Sequence, residues 1–221
     1  MKEKVEKMYW ESSKKRRPIS HPVVKFYCTQ RVEYLKKYLD FSSIKTALDV
    51  GAGYGYSSFY FPSSIELVSS DFSFLNLTIS PMRNKIQTSS LDLPFRSNSF
   101  DLVYGWSFLH HLEKPEKAVA EMARVTKKYL VLLEPNGKNP VQFAFGLLHP
   151  MEHGTLKYNR KKLLSHLNDI KFKLISCEPT GWLFAGASPT FSLALCKHLP
   201  FVHRLGLCNI MVCEKPPSVK S

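Results

Sequence analysis

The stretch "TALDVGAGYGYSS", residues 46–58, constrains the fold more than any other part of the sequence. A short run typical of a buried strand leads directly into Gly51, Gly53 and Gly55. Glycine allows positive φ angles and lets a ligand approach the backbone closely, and a following helix would offer free N–H groups at its start. The stretch therefore predicts a strand–turn–helix unit with a ligand site at the carboxyl end of the strand.

Strand-like and helix-like segments alternate along the middle of the chain. Strands are predicted at 46–50, 65–70, 85–89, 100–104 and 129–134, and helices or helix-like connections at 54–61, 73–82 and 114–127. This alternation predicts a parallel sheet with helices on both faces. Further along, we expect an irregular apolar segment at 141–158, a helix at 159–168, and strands at 171–178 and 208–214.

Two acidic residues stand at the ends of the first two predicted strands. Asp49 precedes the glycine turn, where it can fix the turn or reach a ligand amine. Asp71 ends the second strand, where a carboxylate can accept both hydroxyls of a ribose. The alternative role for Asp71 is to cap the helix that begins at Ser73. Because the glycine turn precedes it, the ribose interpretation is favoured.

The glycine spacing distinguishes two classes of nucleotide-binding protein. Dinucleotide-binding enzymes use G-x-G-x-x-G, whereas this chain has G-x-G-x-G, with Tyr56 where the third glycine of that pattern would stand. The spacing therefore disfavours an NAD-dependent oxidoreductase.

Five motifs occur in order between residues 46 and 136: "ALDVGAGYG", "SSDFS", "SSLDLPFRSNSFDLVYGWSFLHHL", "PEKAVAEMARV" and "LVLLEP". Together they resemble class I S-adenosylmethionine-dependent methyltransferases, and the third resembles the small-molecule and quinone-type branch. The resemblance implies an α/β, doubly wound, Rossmann-like sheet of seven mostly parallel strands in the order 3-2-1-4-5-7-6. It also implies helices on both faces, an apolar cap, S-adenosyl-L-methionine as cofactor and S-adenosyl-L-homocysteine as product.

The resemblance also implies where the cofactor lies. The glycine turn would line its methionine part, Asp71 would hold the ribose, Phe72 would flank the adenine, and the loop 89–92 would bracket the adenine edge. Ser89 stands where the family has an acid. The cofactor-binding residues implied in this way are Asp49, Gly51, Ala52, Gly53, Gly55, Asp71, Phe72, Ser90, Leu91, Asp92 and Trp106.

Methyl transfer is an in-line displacement, which requires alignment and the exclusion of water. A base is needed only when the acceptor arrives protonated. His110 and His111 follow the fourth strand, and Glu152 and His153 lie in the segment after the fifth. The candidate catalytic residues are Glu152, His153 and His111, with the alternative that His111 only packs on the sheet. We expect no metal, because His149, Glu152 and His153 lack a recognisable ligand geometry.

The chain is expected to form a single methyltransferase domain, 1–221. Residues 1–45 would be a helical lid, 46–135 the cofactor-binding core and 136–221 the substrate-side half, with inserts at 136–158 and 179–207. Helices are expected at 2–10 and 23–39. By analogy with related enzymes, Tyr9, Trp10, Arg16 and Arg17 would close the cofactor site.

The charge distribution indicates which binding partners the chain can attract. The formal net charge is +13, concentrated in residues 1–45 and 136–221, and such basic ends can attract RNA, an anionic membrane surface or an acidic substrate. The apolar inserts favour a small-molecule or lipid-like acceptor. The alternatives are an RNA methyltransferase and a catalytically inactive scaffold that binds S-adenosylmethionine. No obligate protein partner is inferred.

The remaining features indicate the compartment. The N-terminus lacks the apolar core of a secretory signal, and no apolar run reaches the ~18 residues of a membrane span. Five cysteines without CxxC spacing predict neither a disulfide framework nor a zinc site. We expect a cytoplasmic protein that can associate peripherally with a membrane.

Overall fold

The computed structural model describes residues 16–216. Seven strands form one sheet in the order β3-β2-β1-β4-β5-β7-β6, which confirms the predicted order. The strands are β1 (Thr46–Val50), β2 (Glu66–Asp71), β3 (Lys85–Gln87), β4 (Phe100–Trp106), β5 (Thr126–Pro135), β6 (Lys173–Thr180) and β7 (Cys208–Glu214). The first five pair in parallel, and β7 runs antiparallel to both β5 and β6. The carboxyl ends of β1, β2 and β4 therefore meet at one edge of the sheet.

Helices and 3₁₀ turns connect the strands. The helices are α1 (Pro22–Leu35), α2 (Tyr56–Phe59), α3 (Phe74–Ile79), α4 (Pro115–Val125), α5 (Pro140–Leu148), α6 (Arg160–Ser165) and α7 (Ser192–Cys196). The 3₁₀ segments are Phe41–Ser43, Leu109–His111, Pro150–Lys157 and His166–Asp169.

Two apolar cores cover the sheet. One contains the α4 residues Ala118, Val119 and Met122, which recur at helical spacing and are buried together with strand residues. The other contains Val32 and Leu35 of α1. Because both faces are covered, the inner strands are almost continuously buried, as in other parallel sheets.

The segment 141–158 differs from the expectation of irregular structure, because it forms α5 and the 3₁₀ segment Pro150–Lys157. The Asn139 side chain accepts hydrogen bonds from the N–H groups of Val141 and Gln142, and Pro140 occupies the first turn. Apolar residues on the exposed side of α5 mask the helical period in the sequence. The predicted helix at 2–10 lies outside the described residues.

Two further features concern the cysteines and the length of the helices. All five cysteines are free thiols and buried. Between residues 16 and 216, no helix combines the length and apolar character that crossing a membrane requires.

Candidate active site

A cavity of about 510 Å³ opens at the edge of the sheet where β1, β2 and β4 end. This volume falls within the ~300–1,000 Å³ typical of small-molecule sites. Its walls come from the turn after β1, the end of β2, the loop after β3 and the segment after β4. The cavity thus lies where ligands bind in open α/β sheets.

The glycine turn after β1 forms one wall of this cavity. Gly51 and Gly53 have φ angles of +71° and +53°. Residues other than glycine rarely adopt φ angles in this region. A Cβ on Gly51 would lie 2.7 Å from the Phe108 side chain, whereas one on Gly53 would meet no atom within 4 Å. The backbone at Gly53 is therefore accessible to a ligand.

Asp49 lies beneath the turn and does not line the cavity. It is fully buried, and its Oδ2 accepts hydrogen bonds of 2.5 Å from the hydroxyls of Ser57 and Ser58 in α2. Burial raises the pKa of Asp49 to about 6, although the two serine hydrogen bonds act in the opposite direction. Of its two expected roles, the structure places Asp49 where it fixes the turn.

Asp71 joins the turn to β2 and lines the cavity. Its Oδ2 accepts a 2.8 Å hydrogen bond from the Gly53 N–H, and its Oδ1 accepts one of 2.8 Å from the Ser73 N–H. Burial raises the pKa of this carboxyl group. The helix cap itself is Ser73, whose side chain accepts from the Asn76 N–H. Because each carboxylate oxygen has a second lone pair, Asp71 can still accept from a ligand.

The cavity wall contains eight of the eleven residues implied for cofactor binding: Gly51, Ala52, Gly53, Asp71, Phe72, Ser90, Leu91 and Trp106. Asp49, Gly55 and Asp92 do not line it. A Cβ on Gly55 would meet the Ser80 side chain, so this glycine faces the protein interior. Residues that the sequence did not implicate also line the wall, among them Tyr27 of α1 and Asn76 of α3. No local sequence pattern predicts that Tyr27 lines the cavity, because α1 reaches the cavity only through tertiary packing.

A strap formed by residues 16–19 meets the 179–207 insert beside the cavity. The Arg17 guanidinium donates hydrogen bonds to the carbonyls of Ala185, at 3.1 Å, and Ser188, at 2.7 Å. The Arg16 guanidinium lies 4.0 Å above the centre of the Tyr54 ring. Arg16 and Ala185 both line the cavity. The other two residues expected to close the site, Tyr9 and Trp10, lie outside the described residues.

A buried carboxylate organises the segment after β4. Oε1 of Glu134, near the end of β5, accepts from the N–H groups of Phe108 and Leu109 at 3.0 and 2.9 Å. Its Oε2 lies 2.7 Å from Nδ1 of His110. Since an ionised carboxylate only accepts hydrogen bonds, Nδ1 of His110 is the donor. Glu134 belongs to the motif "LVLLEP", but the sequence does not predict its contacts with residues 108–110. These contacts form only because β4 and β5 are neighbours in the sheet.

His110, His111 and Glu152 form a histidine–glutamate cluster next to the cavity. One donor atom from each lies within 4.8 Å of the others, and Nε2 of His110 is 3.3 Å from Oε2 of Glu152. His111 lines the cavity. Burial alone lowers the pKa of His110, but the charges of Glu134 and Glu152 raise it to about 9.

Gly154 explains how Glu152 reaches this cluster. A Cβ on Gly154 would lie 1.9 Å from the His110 carbonyl oxygen, so only glycine lets the 3₁₀ segment Pro150–Lys157 pack this closely on Leu109–His111. The other candidate base, His153, is exposed and lies outside the cluster. His149 is exposed as well and stacks on Phe145, with ring centres 4.3 Å apart.

Comparisons with known proteins agree with this geometry. Residues 48–132 match the family described as "Methyltransferase domain". Residues 48–132 of this chain form a methyltransferase domain. A demethylmenaquinone methyltransferase from Renibacterium salmoninarum is 41% identical to the methyltransferase domain over 85 residues. The match spans 36% of this chain and about a third, 36%, of the length of that relative.

Solved structures share the fold of the methyltransferase domain. A SAM-dependent methyltransferase from Thermotoga maritima has a TM-score of 0.65 at 16% identity, over 87% of this chain and 91% of the other. One from Archaeoglobus fulgidus has a TM-score of 0.63 at 15% identity, over 86% and 94%. At these identities the likeness concerns the fold. The cofactor that the domain implies is S-adenosylmethionine.

The cavity residues fit that cofactor. The Trp106 indole lines the cavity, and its buried Nε1 has no hydrogen-bond partner among residues 16–216. A buried donor left without a partner costs roughly 1–3 kcal/mol, which a carboxylate or hydroxyl of a ligand would offset. Asp71 offers acceptors for the ribose hydroxyls, and Phe72 and Leu91 offer apolar surface for the adenine ring.

Proposed function

We propose that this chain is a methyltransferase that uses S-adenosylmethionine to methylate a small-molecule or lipid-like acceptor with a largely apolar body. The observation that carries the proposal is one continuous cavity. It combines the glycine turn and Asp71, which suit the cofactor, with apolar side chains and His111, which suit an acceptor.

Bound S-adenosylmethionine supplies a methyl group on a positively charged sulfur. The acceptor's electron pair forms the new bond to the methyl carbon, and the electron pair of the broken carbon–sulfur bond stays on the sulfur. The protein's task is to align the two ligands and exclude water. The strap, held to the insert by Arg17, and the packed Phe108 serve this purpose.

The cavity wall indicates the class of acceptor. It includes nine aromatic or branched aliphatic side chains: Tyr27, Val50, Tyr54, Tyr56, Phe72, Leu91, Trp106, Phe108 and Leu112. A wall of this kind suits an apolar ring or chain better than a polyanionic one. The demethylmenaquinone methyltransferase that shares 85 aligned residues with this chain supports the same class.

The histidine–glutamate cluster supplies polar contacts for the reacting atom of the acceptor. His111 lines the cavity, and Glu152, which is not part of the cavity wall, lies against His110. An acceptor that arrives protonated loses its proton to this cluster, directly or through a water. We assign the base role to His111 and Glu152 rather than to the exposed His153.

An apolar surface on the cap suits contact with an anionic membrane. Exposed apolar residues on α5 and on the insert form this cap surface: Val141, Phe143, Leu147, Leu148, Phe191, Leu195, Val202 and Leu205. The two parts are joined where the Asn139 side chain donates to the Leu205 carbonyl and where Phe145 packs on Phe184. Exposed Lys138, Lys197 and Arg204 flank it. Apolar surface with basic neighbours is typical of peripheral membrane binding.

The test is transfer of a tritiated methyl group from S-adenosylmethionine into lipid, small-molecule and RNA fractions. We expect label in the apolar small-molecule or lipid fraction. Label confined to RNA would assign the basic surface to nucleic acid and overturn the acceptor class. Tight cofactor binding without any transfer would indicate a binding scaffold, and calorimetric binding of NAD instead of S-adenosylmethionine would overturn the proposal as a whole.

A further inference from the structure

We propose that the histidine–glutamate cluster of His110, His111 and Glu152 binds one divalent transition-metal ion of the zinc type. The binding site stands on its own geometry, whereas its effect on catalysis rests on the proposed function. The sequence predicts no metal, because His149, Glu152 and His153 lack a recognisable ligand geometry. The fold brings a different pair of histidines to Glu152.

The donor set is suited to such an ion. Two imidazoles and one carboxylate hold zinc in several hydrolytic enzymes and leave a coordination position open. Metal-binding histidines almost always donate their other ring N–H to a carboxylate, which fixes the tautomer. His110 has this arrangement, because Nδ1 donates to Glu134 at 2.7 Å and Nε2, the atom that would bind the metal, faces Glu152.

The contact between His110 and Glu152 indicates a cation between them. Nε2 of His110 and Oε2 of Glu152 lie 3.3 Å apart, a separation that needs a cation between the two atoms, either a proton on Nε2 or a metal ion. The buried Nε2 has no partner with hydrogen-bond geometry in the described part of the chain, so a proton there is poorly aligned with Glu152 and a metal ion can displace it. A metal ion lies off the line between its ligands and needs no such alignment.

The distances agree with one ion. With metal–ligand bonds of about 2.1 Å, neighbouring ligands of a tetrahedral ion are about 3.4 Å apart and opposite ligands in higher coordination about 4.2 Å. The His110–Glu152 separation of 3.3 Å matches the first value. All donor separations in the cluster are at most 4.8 Å, so binding requires only small side-chain movements.

The position of the cluster gives the ion a role. His111 lines the cavity, so an open coordination position on that side can be reached by an acceptor hydroxyl. A divalent ion lowers the pKa of a hydroxyl or water that it contacts. With the ion bound, the lone pairs of His111 and Glu152 are engaged in coordination, so under the proposed function the acceptor hydroxyl loses its proton to solvent instead and its oxygen attacks as an anion.

The test measures metal binding on the full-length chain, without an activity assay. Chelator-treated protein is titrated with Co²⁺ and followed by visible absorption, and Zn²⁺ is then used to displace it, with metal content measured by mass spectrometry. We expect one equivalent of metal. Glu152→Gln and His111→Ala should each weaken binding by about tenfold or more, whereas the exposed His149→Ala should bind as the wild type does.

Calorimetry with S-adenosylmethionine on the same variants separates the two proposals. Glu152→Gln should keep its cofactor affinity, which also shows that it is folded. Absence of metal binding, or metal binding that both substitutions leave unchanged, would overturn the metal site while cofactor binding persists. Metal binding with no affinity for S-adenosylmethionine would overturn the proposed function and leave the metal site intact.

Discussion

Asp71 is the residue on which we expect cofactor binding to depend most directly. It lines the cavity and holds the Gly53 N–H. Asp71→Ala removes an acceptor for the ribose and a support of the turn, so we expect the affinity for S-adenosylmethionine to fall by about 1–3 kcal/mol, or roughly 5- to 150-fold. Isothermal titration calorimetry measures this loss, and unchanged affinity would refute the assignment.

Asp101 offers a matched control. It is a buried strand acid as well, but its Oδ2 accepts from the N–H groups of Lys45 and Thr46, at the end of β1 remote from the cavity. Asp101→Asn should lower the free energy of unfolding and leave cofactor affinity unchanged. A loss of affinity in both variants would show that Asp71 acts only through stability.

Asp49 makes stability depend on pH. Burial raises its pKa in the folded protein from 3.8 to about 6, so between these values the unfolded chain loses this proton and the folded chain keeps it. The stability that Asp49 contributes is complete below pH 3.8 and is lost as pH rises through 6, by up to about 3 kcal/mol.

Asp49→Asn removes this titration. We expect the unfolding free energy of the wild type, relative to Asp49→Asn, to decline from pH 4 to pH 6 and then to level off. Denaturant unfolding of both proteins at pH 4, 5, 6 and 7 measures the difference. A difference that stays constant across this range would contradict the prediction.

At the scale of elements, the 3₁₀ segment Pro150–Lys157 positions Glu152 through a backbone contact. Gly154→Ala places a methyl group against the His110 carbonyl and forces the two segments apart. We expect a loss of about 1–3 kcal/mol in unfolding free energy and weaker Co²⁺ binding.

Gly186 in the insert is the control for this substitution. A Cβ at that position would meet no atom within 4 Å, and its φ is not positive. Gly186→Ala should therefore change neither thermal stability nor metal affinity. Equal effects of the two substitutions would contradict the proposed contact.

At the scale of the whole molecule, the cap surface predicts membrane binding. The paired substitution of Leu147→Glu with Leu148→Glu replaces exposed apolar contacts by like charges, so binding to phosphatidylglycerol vesicles should weaken by about tenfold or more. Vesicle sedimentation measures it. Ile79→Glu changes an exposed apolar residue of α3 outside the cap and should have no effect; equal binding by all three proteins would contradict the prediction.

Local sequence patterns were sufficient for most of the fold and for part of the site. The βα alternation, the glycine turn and the place of Asp71 at the end of a strand could be predicted because each depends on residues adjacent in the chain. The order of the strands was predicted from the family resemblance, and the sheet confirms it. The helical course of α5 was missed, since its apolar residues face outward and hide the period. Gly55 and Asp92 were assigned to the cofactor by motif position, yet neither lines the cavity.

The sequence by itself determined the βα alternation and the position of the ligand-binding edge, because periodicity and glycine placement act over short distances. Only the tertiary structure decided which side chains meet there. Glu134 reaches His110 across 24 residues, and Glu152 arrives on a separate segment that packs at Gly154. Such contacts depend on how β5 registers against β4 and how the following segment folds back, and no local pattern encodes either.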